Sequence, residues 1–522
     1  MNMPDIVKTA LVGTGQQNQP DCKTGSAVDN LISALAIASP ERQLLLAAGS
    51  FAVYQQAGWI AEVIEGIPEP APTEQLRPCS SRAAALLHDM FLGKHKDLLP
   101  EAFQYMQQAG IHLPYELLPA ALNMSDTQIR ALLYPILGER GKWLSQLNPQ
   151  WNWVQQILPL SGEALPVHTE SLWQEGTIEQ RCAILRRLRT IDPAQARSWL
   201  EEVWKKERAE ARSALLNTFE VSLSDADEPF LEKALDDRSS NVRNVACELL
   251  MRLPTSAFLE RMLLRSNQIL SLDKGKIIVN APSKYDTSWT RDGILEKPET
   301  KPGEQAWWML QILSRVPLHH WEERLQNTPE ALINQLEKID NTWTNTVIEG
   351  WTRAAIFYRA TSWLQPLWRW WRRHPVQPNT HGVTTRDMRA ELLACMSSEE
   401  AEQVMLPVIH DLTSDRDNRG SLISHLPQPW SEAFSKQYLG KLRHHLASAS
   451  FVKKNYYPYY DSWFQSLEVA ARALAPSSLS LALEPWNLPE DNSWEIHAWH
   501  EQVATFTEAV RIRKQFIEEI TR

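Results

Sequence analysis

Arg181-Cys182-Ala183-Ile184-Leu185, Arg212-Ser213-Ala214-Leu215-Leu216 and Arg243-Asn244-Val245-Ala246-Cys247 begin 31 residues apart. Apolar residues follow each arginine at helical spacing: Leu185 and Leu188 after the first, Leu215, Leu216 and Phe219 after the second, Ala246, Leu249 and Leu250 after the third. Shorter amphipathic segments, Ala194–Lys205 and Glu228–Leu235, lie between them, so each period carries two helices. A fixed period of about 20–50 residues with two helices per period marks stacked repeats, in which neighbours bury what one unit cannot. The pattern predicts an all-α fold, an α-solenoid of helix pairs over residues 176–265, with Phe219 and Leu249 on the buried seam.

On either side the punctuation changes. Ser39-Pro40-Glu41 supplies a helix N-cap, a first-turn proline and an acid, and Gly58 is a candidate C-cap, which gives an N-terminal helical segment over 1–67. Residues 68–79 are proline-rich and predict a linker, followed by a helical domain over 80–175. Residues 266–304 break the repeat. They hold a β-capable stretch, Ile269–Val279, and then a turn-rich run, so they predict an irregular, partly β insertion. A 30-residue echo, Arg389-Ala390-Glu391-Leu392-Leu393 against Arg419-Gly420-Ser421-Leu422-Ile423, predicts that helical repeats resume over 305–522.

The chain has 522 residues, 53 Lys and Arg against 63 Asp and Glu, and a net charge of −10. That balance does not favour a general nucleic-acid binder. No apolar run approaches the ~18 residues a membrane helix needs, and the first dozen residues lack the pattern of a secretory signal. The five cysteines are scattered and never form a CxxC pair, which reads as reduced thiols in a cytoplasmic protein. Gly13-Thr14-Gly15 lacks the GxxxxGK[ST] phosphate loop and reads as a helix end and turn. His497 and His500, flanked by Glu495 and Glu501, sit one helical turn apart without an HExxH pattern or a third ligand. Hence no catalytic, cofactor-binding or metal-binding residue is expected, and no cofactor.

Several phrases together resemble a known family: Ala10-Leu11-Val12-Gly13-Thr14, Gly138-Glu139-Arg140-Gly141-Lys142-Trp143-Leu144 with Asn148-Pro149-Gln150-Trp151, Asp236-Asp237-Arg238-Ser239, Arg291-Asp292-Gly293-Ile294, and Leu426-Pro427-Gln428-Pro429-Trp430-Ser431. They resemble a bacterial family of uncharacterised helical-repeat, HEAT-like proteins, a domain of unknown function. The resemblance implies genes beside a MoxR-type AAA+ ATPase, a von Willebrand factor A protein and a SWIM zinc-finger protein, hence a shared cytoplasmic assembly. It implies no activity. In HEAT repeats an Asp in the turn pairs with an Arg along the stack, and Asp237 with Arg243 has that form. The residue six before Arg212 is Lys206 and that before Arg181 is Glu175, so a continuous ladder is not expected.

The expected function is a non-enzymatic scaffold or adaptor for a protein partner. Candidate contacts in the insertion are Asp286, Trp289, Arg291 and Asp292, because an insertion contributes little to a stacked core and Trp and Arg are frequent interface anchors. In the purely structural alternative Trp289 folds back to plug a groove between helices and Arg291 pairs with a local acid such as Asp286. A second candidate is Trp351–His374, with five arginines, no acid and seven aromatics, in which Arg369, Arg372 and Arg373 form a polar face opposite Trp368 and Trp371. A third is Tyr456-Tyr457-Pro458-Tyr459-Tyr460, in which Tyr457 and Tyr459 are candidate anchors. The alternative function is a HEAT-like nucleic-acid binder or DNA-repair glycosylase that uses the basic aromatic segment 351–374.

Overall fold

The computed structural model describes residues 11, 13, 29–30, 33, 39–57, 68–156, 165, 169–297, 303–338, 342–374, 387–410, 420–448, 457–489 and 493–522. The chain divides into two compact units, Met1–Pro70 and Ala71–Arg522. In the first, helix α1 (Pro40–Ala57) starts where Ser39 was expected to cap it. Gly58, Thr14, Gly15 and Arg419 lie outside the described residues.

The described residues are mostly helical, with one two-stranded hairpin. Helices α2 (Ser81–Phe91) and α3 (Leu99–Ala109) open the second unit. The proline-rich stretch before them is no free tether. Prolines lack donors, but Arg77 keeps its peptide groups and bonds across to Gly110 and His112 at 2.9 and 3.0 Å. Glu74 also reaches over the start of helix Gly138–Leu147 and accepts the Glu139 amide at 2.9 Å. Gly138, at φ +66°, leaves room that a Cβ would take from the Glu74 carboxylate.

The 31-residue period then appears as three helix pairs: α4 (Ile178–Ile191) with α5 (Pro193–Val203), α6 (Ala209–Asn217) with α7 (Glu228–Ala234), and α8 (Ser240–Met251) with α9 (Ala257–Ile269). Local chemistry starts each element. Thr177 and Gln180 form a capping box, Asp192 caps α5 ahead of Pro193, and Ser256 caps α9. Arg181, Arg212 and Arg243 each occupy the fourth position of their helix. Helix α4 packs on α6, and α6 on α8, burying Leu185, Leu215, Leu216, Phe219, Leu249 and Leu250 in one core.

An arginine–acid ladder links these pairs, contrary to the expectation from position −6. Arg181 Nη2 meets Glu207 Oε1 at 2.6 Å, and Arg212 grips Asp237 with Nε and Nη2 at 2.8 and 2.9 Å. Glu207 stands five residues before Arg212, and Asp237 six before Arg243. Behind the guanidinium groups lie Trp173 and Trp204, also 31 residues apart, at 4.7 and 5.7 Å from Arg181 and Arg212.

After α9 the chain forms hairpin β1 (Leu270–Asp273) and β2 (Lys276–Val279), turning through Lys274 and Gly275, both at positive φ. Helices resume with α10 (Glu304–Leu313), α11 (Pro329–Lys338), α12 (Thr344–Tyr358), α13 (Thr361–Arg373), α14 (Met388–Cys395), α15 (Glu432–Ala447), α16 (Ser462–Ala473) and α17 (Trp494–Thr521). Helix α10 packs on α12, and α12 on α14. Helix α17 spans both hydrophobic cores. Trp499, Val503 and Phe506 join the one that begins at Trp173, whereas Phe516 and Ile520 complete the one built from residues 83–154. Between them, buried Arg513 binds Glu101 through Nε and Nη2 at 2.5 and 2.7 Å, and donates to the Leu474 carbonyl at 2.6 Å.

Among the described residues no helix is long and apolar enough to cross a membrane.

Candidate partner-binding site

The insertion is tied to the repeats by charge. Arg291 donates from Nε to Asp236 at 2.7 Å and from Nη1 to the Glu232 carboxylate at 3.0 Å. It does not pair with Asp286, which instead caps the short helix Thr287–Thr290 and is exposed. Asp292 is 2% exposed, and its carboxylate lies between Arg261 at 2.7 Å and Arg265 at 2.6 Å. A buried carboxylate held by two arginines is a structural staple, so Asp292 does not present a surface to a partner. Trp289 is half-buried against Tyr285 and Trp308, as a side chain folded back on the helices would be.

These pairs fix the backbone that follows. Gly293, at φ +72°, passes so close to α8 that a Cβ would lie 3.0 Å from the Cys247 sulfur. Its carbonyl accepts from Arg315 Nη2 at 3.0 Å, and the Gln311 side chain brackets Leu295 by accepting its N–H at 2.8 Å and donating to its carbonyl at 3.1 Å. Ile294 is fully buried. The segment 293–295 thus becomes part of the wall of a groove shared by α8, α10, α12 and α14, with Glu248, Trp307, Arg315, Arg353, Phe357 and Glu391 among its lining.

The second candidate segment divides between core and surface. Trp351, Trp363, Trp368, Trp370 and Trp371 are all buried, which removes them as exposed platforms for stacking bases. Arg369 and Arg373 are exposed and Arg372 is half-buried. Arg369 lies 3.8 Å from Glu330 and Arg373 3.2 Å from Glu337, and the three arginines line a shallow groove between α11 and α13. In the third candidate, Tyr457 and Tyr459 are 56% and 62% exposed, Tyr457 lying near Trp494 with ring centroids 6.0 Å apart. The structure therefore does not bring the three groups of candidates into one site. Tyr456 lies outside the described residues.

The groove residues Trp307, Arg315 and Arg353 were not singled out as contacts from the sequence. A cue was present for one of them, since Glu349 and Arg353 stand at i,i+4 and pair at 2.7 Å. Among the described residues no cluster of His, Cys, Asp and Glu is placed to hold a metal ion, and His497 and His500 are both exposed. Burial pushes the Cys79 thiol up to about 11 and the Cys247 thiol up to about 12, so both stay protonated and weakly nucleophilic near neutral pH.

The described residues are mostly helical, with ion pairs between neighbouring helix pairs. The model of a family of unknown function, DUF5691, matches residues 5–520, and the chain belongs to that family. No curated protein matches the chain.

Proposed function

We propose that the protein is a non-enzymatic scaffold or adaptor: a HEAT-like α-solenoid that holds a protein partner in the cytoplasm. The observation that carries this reading is the ladder from Arg181 to Glu207 and from Arg212 to Asp237, which joins each helix pair to the next. Such nearest-neighbour stacking produces extended binding surfaces. The partner proposed from the sequence resemblance is the MoxR-type AAA+ ATPase or the von Willebrand factor A protein. Its contact surfaces are the exposed Asp286, the arginine groove of Arg369, Arg372 and Arg373, and the Tyr457–Tyr459 patch.

Affinity purification of the full chain from its native cell, with mass spectrometry of co-eluting proteins, tests the reading. Co-elution of either proposed partner, reduced by Arg369→Glu with Arg373→Glu at unchanged melting temperature, is the expected result. Failure to co-elute either partner, together with duplex binding that weakens steeply with salt, would replace it with the nucleic-acid reading.

A further inference from the structure

Two arginines, Arg315 and Arg353, line the groove walled by α8, α10, α12 and α14. Arg315 donates from Nη1 to the Gln311 carbonyl at 2.7 Å and from Nη2 to the Gly293 carbonyl at 3.0 Å. Among the described residues no carboxylate comes within ion-pair distance of it. Arg315 is half-buried, and a guanidinium has five N–H donors, so a cation held only by neutral carbonyls lacks full compensation. Burial accordingly pulls the Arg315 pKa down, against the more distant charges of Asp292 and Glu248.

Two neighbours share the deficit. Arg353 gives Nη2 to Glu349, but its Nε is buried without a partner, and so is the indole Nε1 of Trp307. Burial also pushes the Glu349 carboxyl up against the pull of Arg353. Two unpartnered donors, Trp307 Nε1 and Arg353 Nε, therefore line one cavity with the Arg315 guanidinium.

We propose that this groove binds the carboxylate of an Asp or Glu side chain in an extended segment of the protein partner, recognised by Arg315 and Arg353. The inference rests on the scaffold reading. Ile356, Phe357 and Leu295 beside the two arginines supply an apolar surface for the flanking residues of such a segment. Glu248 and Glu391 also line the groove, so a phosphate dianion would face two like charges where a single carboxylate fits the available donors.

The test follows the Trp307 indole N–H, assigned by its loss in Trp307→Phe, in nitrogen-15 spectra of the full chain. The probes are acetyl-Leu-Asp-Leu-amide, its Asn counterpart and inorganic phosphate. The aspartyl peptide is expected to move the signal, the asparaginyl peptide to bind at least tenfold more weakly, and Arg353→Gln to weaken the aspartyl peptide at least tenfold. Arg353→Lys, which keeps the charge but lacks Nε–H, should fall between Arg353→Gln and the parent and guards against a folding defect. Equal response to the two peptides, unchanged binding in Arg353→Gln, or a response to phosphate at lower concentration than to the aspartyl peptide each overturns the proposal. Co-purification separates the two readings. A partner retained undiminished by Arg353→Gln overturns the groove and leaves the scaffold standing, whereas aspartyl-peptide binding with no co-eluting partner overturns the scaffold and leaves carboxylate recognition standing.

Discussion

Asp227 carries the charge balance of the first repeats. Arg189 holds both its oxygens at 2.8 Å, Arg197 adds a bond at 2.7 Å, and the Ser224 amide a fourth at 3.1 Å. Burial alone would raise its pKa, but the Arg189 bonds and charge outweigh that and hold the carboxyl below its ordinary value. Removing one partner of a buried pair leaves the other uncompensated, so Asp227→Asn should cost about 3–5 kcal/mol in urea unfolding. Because the folded pKa is depressed, this stability is present above the ordinary carboxylate value of about 3.9 and is lost as pH falls through the lower folded value. The acid limb of the stability curve should flatten in Asp227→Asn. Glu349 has the opposite sign. Burial raises its pKa, so its contribution is present in acid and lost as pH rises through the folded value. Glu349→Gln, which keeps an acceptor for Arg353, should melt higher than the parent at pH 7 and equal to it near pH 4; no difference at pH 7 would contradict the assignment.

At the scale of elements, the ladder makes a quantitative statement about neighbouring helix pairs. A double-mutant cycle of Arg212→Met with Asp237→Asn should give a coupling of about 0.5–3 kcal/mol, because the two groups touch and are largely shielded from water. Packing sets a second test: Phe219→Ala and Leu249→Ala should cost about 3–5 and 2–5 kcal/mol respectively, since both side chains are buried in the shared core. Unchanged unfolding in both would contradict the seam. The helix pairs were legible because their apolar residues repeat, and the hairpin because a β-capable stretch interrupts that repeat. The ladder was not, because α6 begins after Glu207-Arg208 and α8 after Asp237-Arg238-Ser239, which shifts the acid by one position. The role of Arg291 was also illegible. Its partners, Glu232 and Asp236, are more than fifty residues away, and no local pattern records such a distance. Gly293→Ala should loosen the groove wall at that point, seen as faster amide exchange at Leu295 with little change at Leu215.

For the whole second unit, the decisive element is α17. Its last turns are part of a core otherwise made from residues 83–154, and Arg513 bonds Glu101 across 412 positions of sequence. Phe516→Ala with Ile520→Ala should therefore raise amide exchange across residues 81–154 while leaving 209–251 nearly unchanged; the reverse pattern would show that α17 does not close that core. No periodicity in the sequence announced this pairing, since each partner reads alone as an ordinary amphipathic helix. The consequence reaches into biosynthesis. Residues 83–154 leave the ribosome long before Phe516 exists, and at about 5–20 residues per second the interval is roughly 20–80 seconds. Throughout that time the core lacks the side chains that close it, so the nascent chain exposes an apolar site until α17 is made.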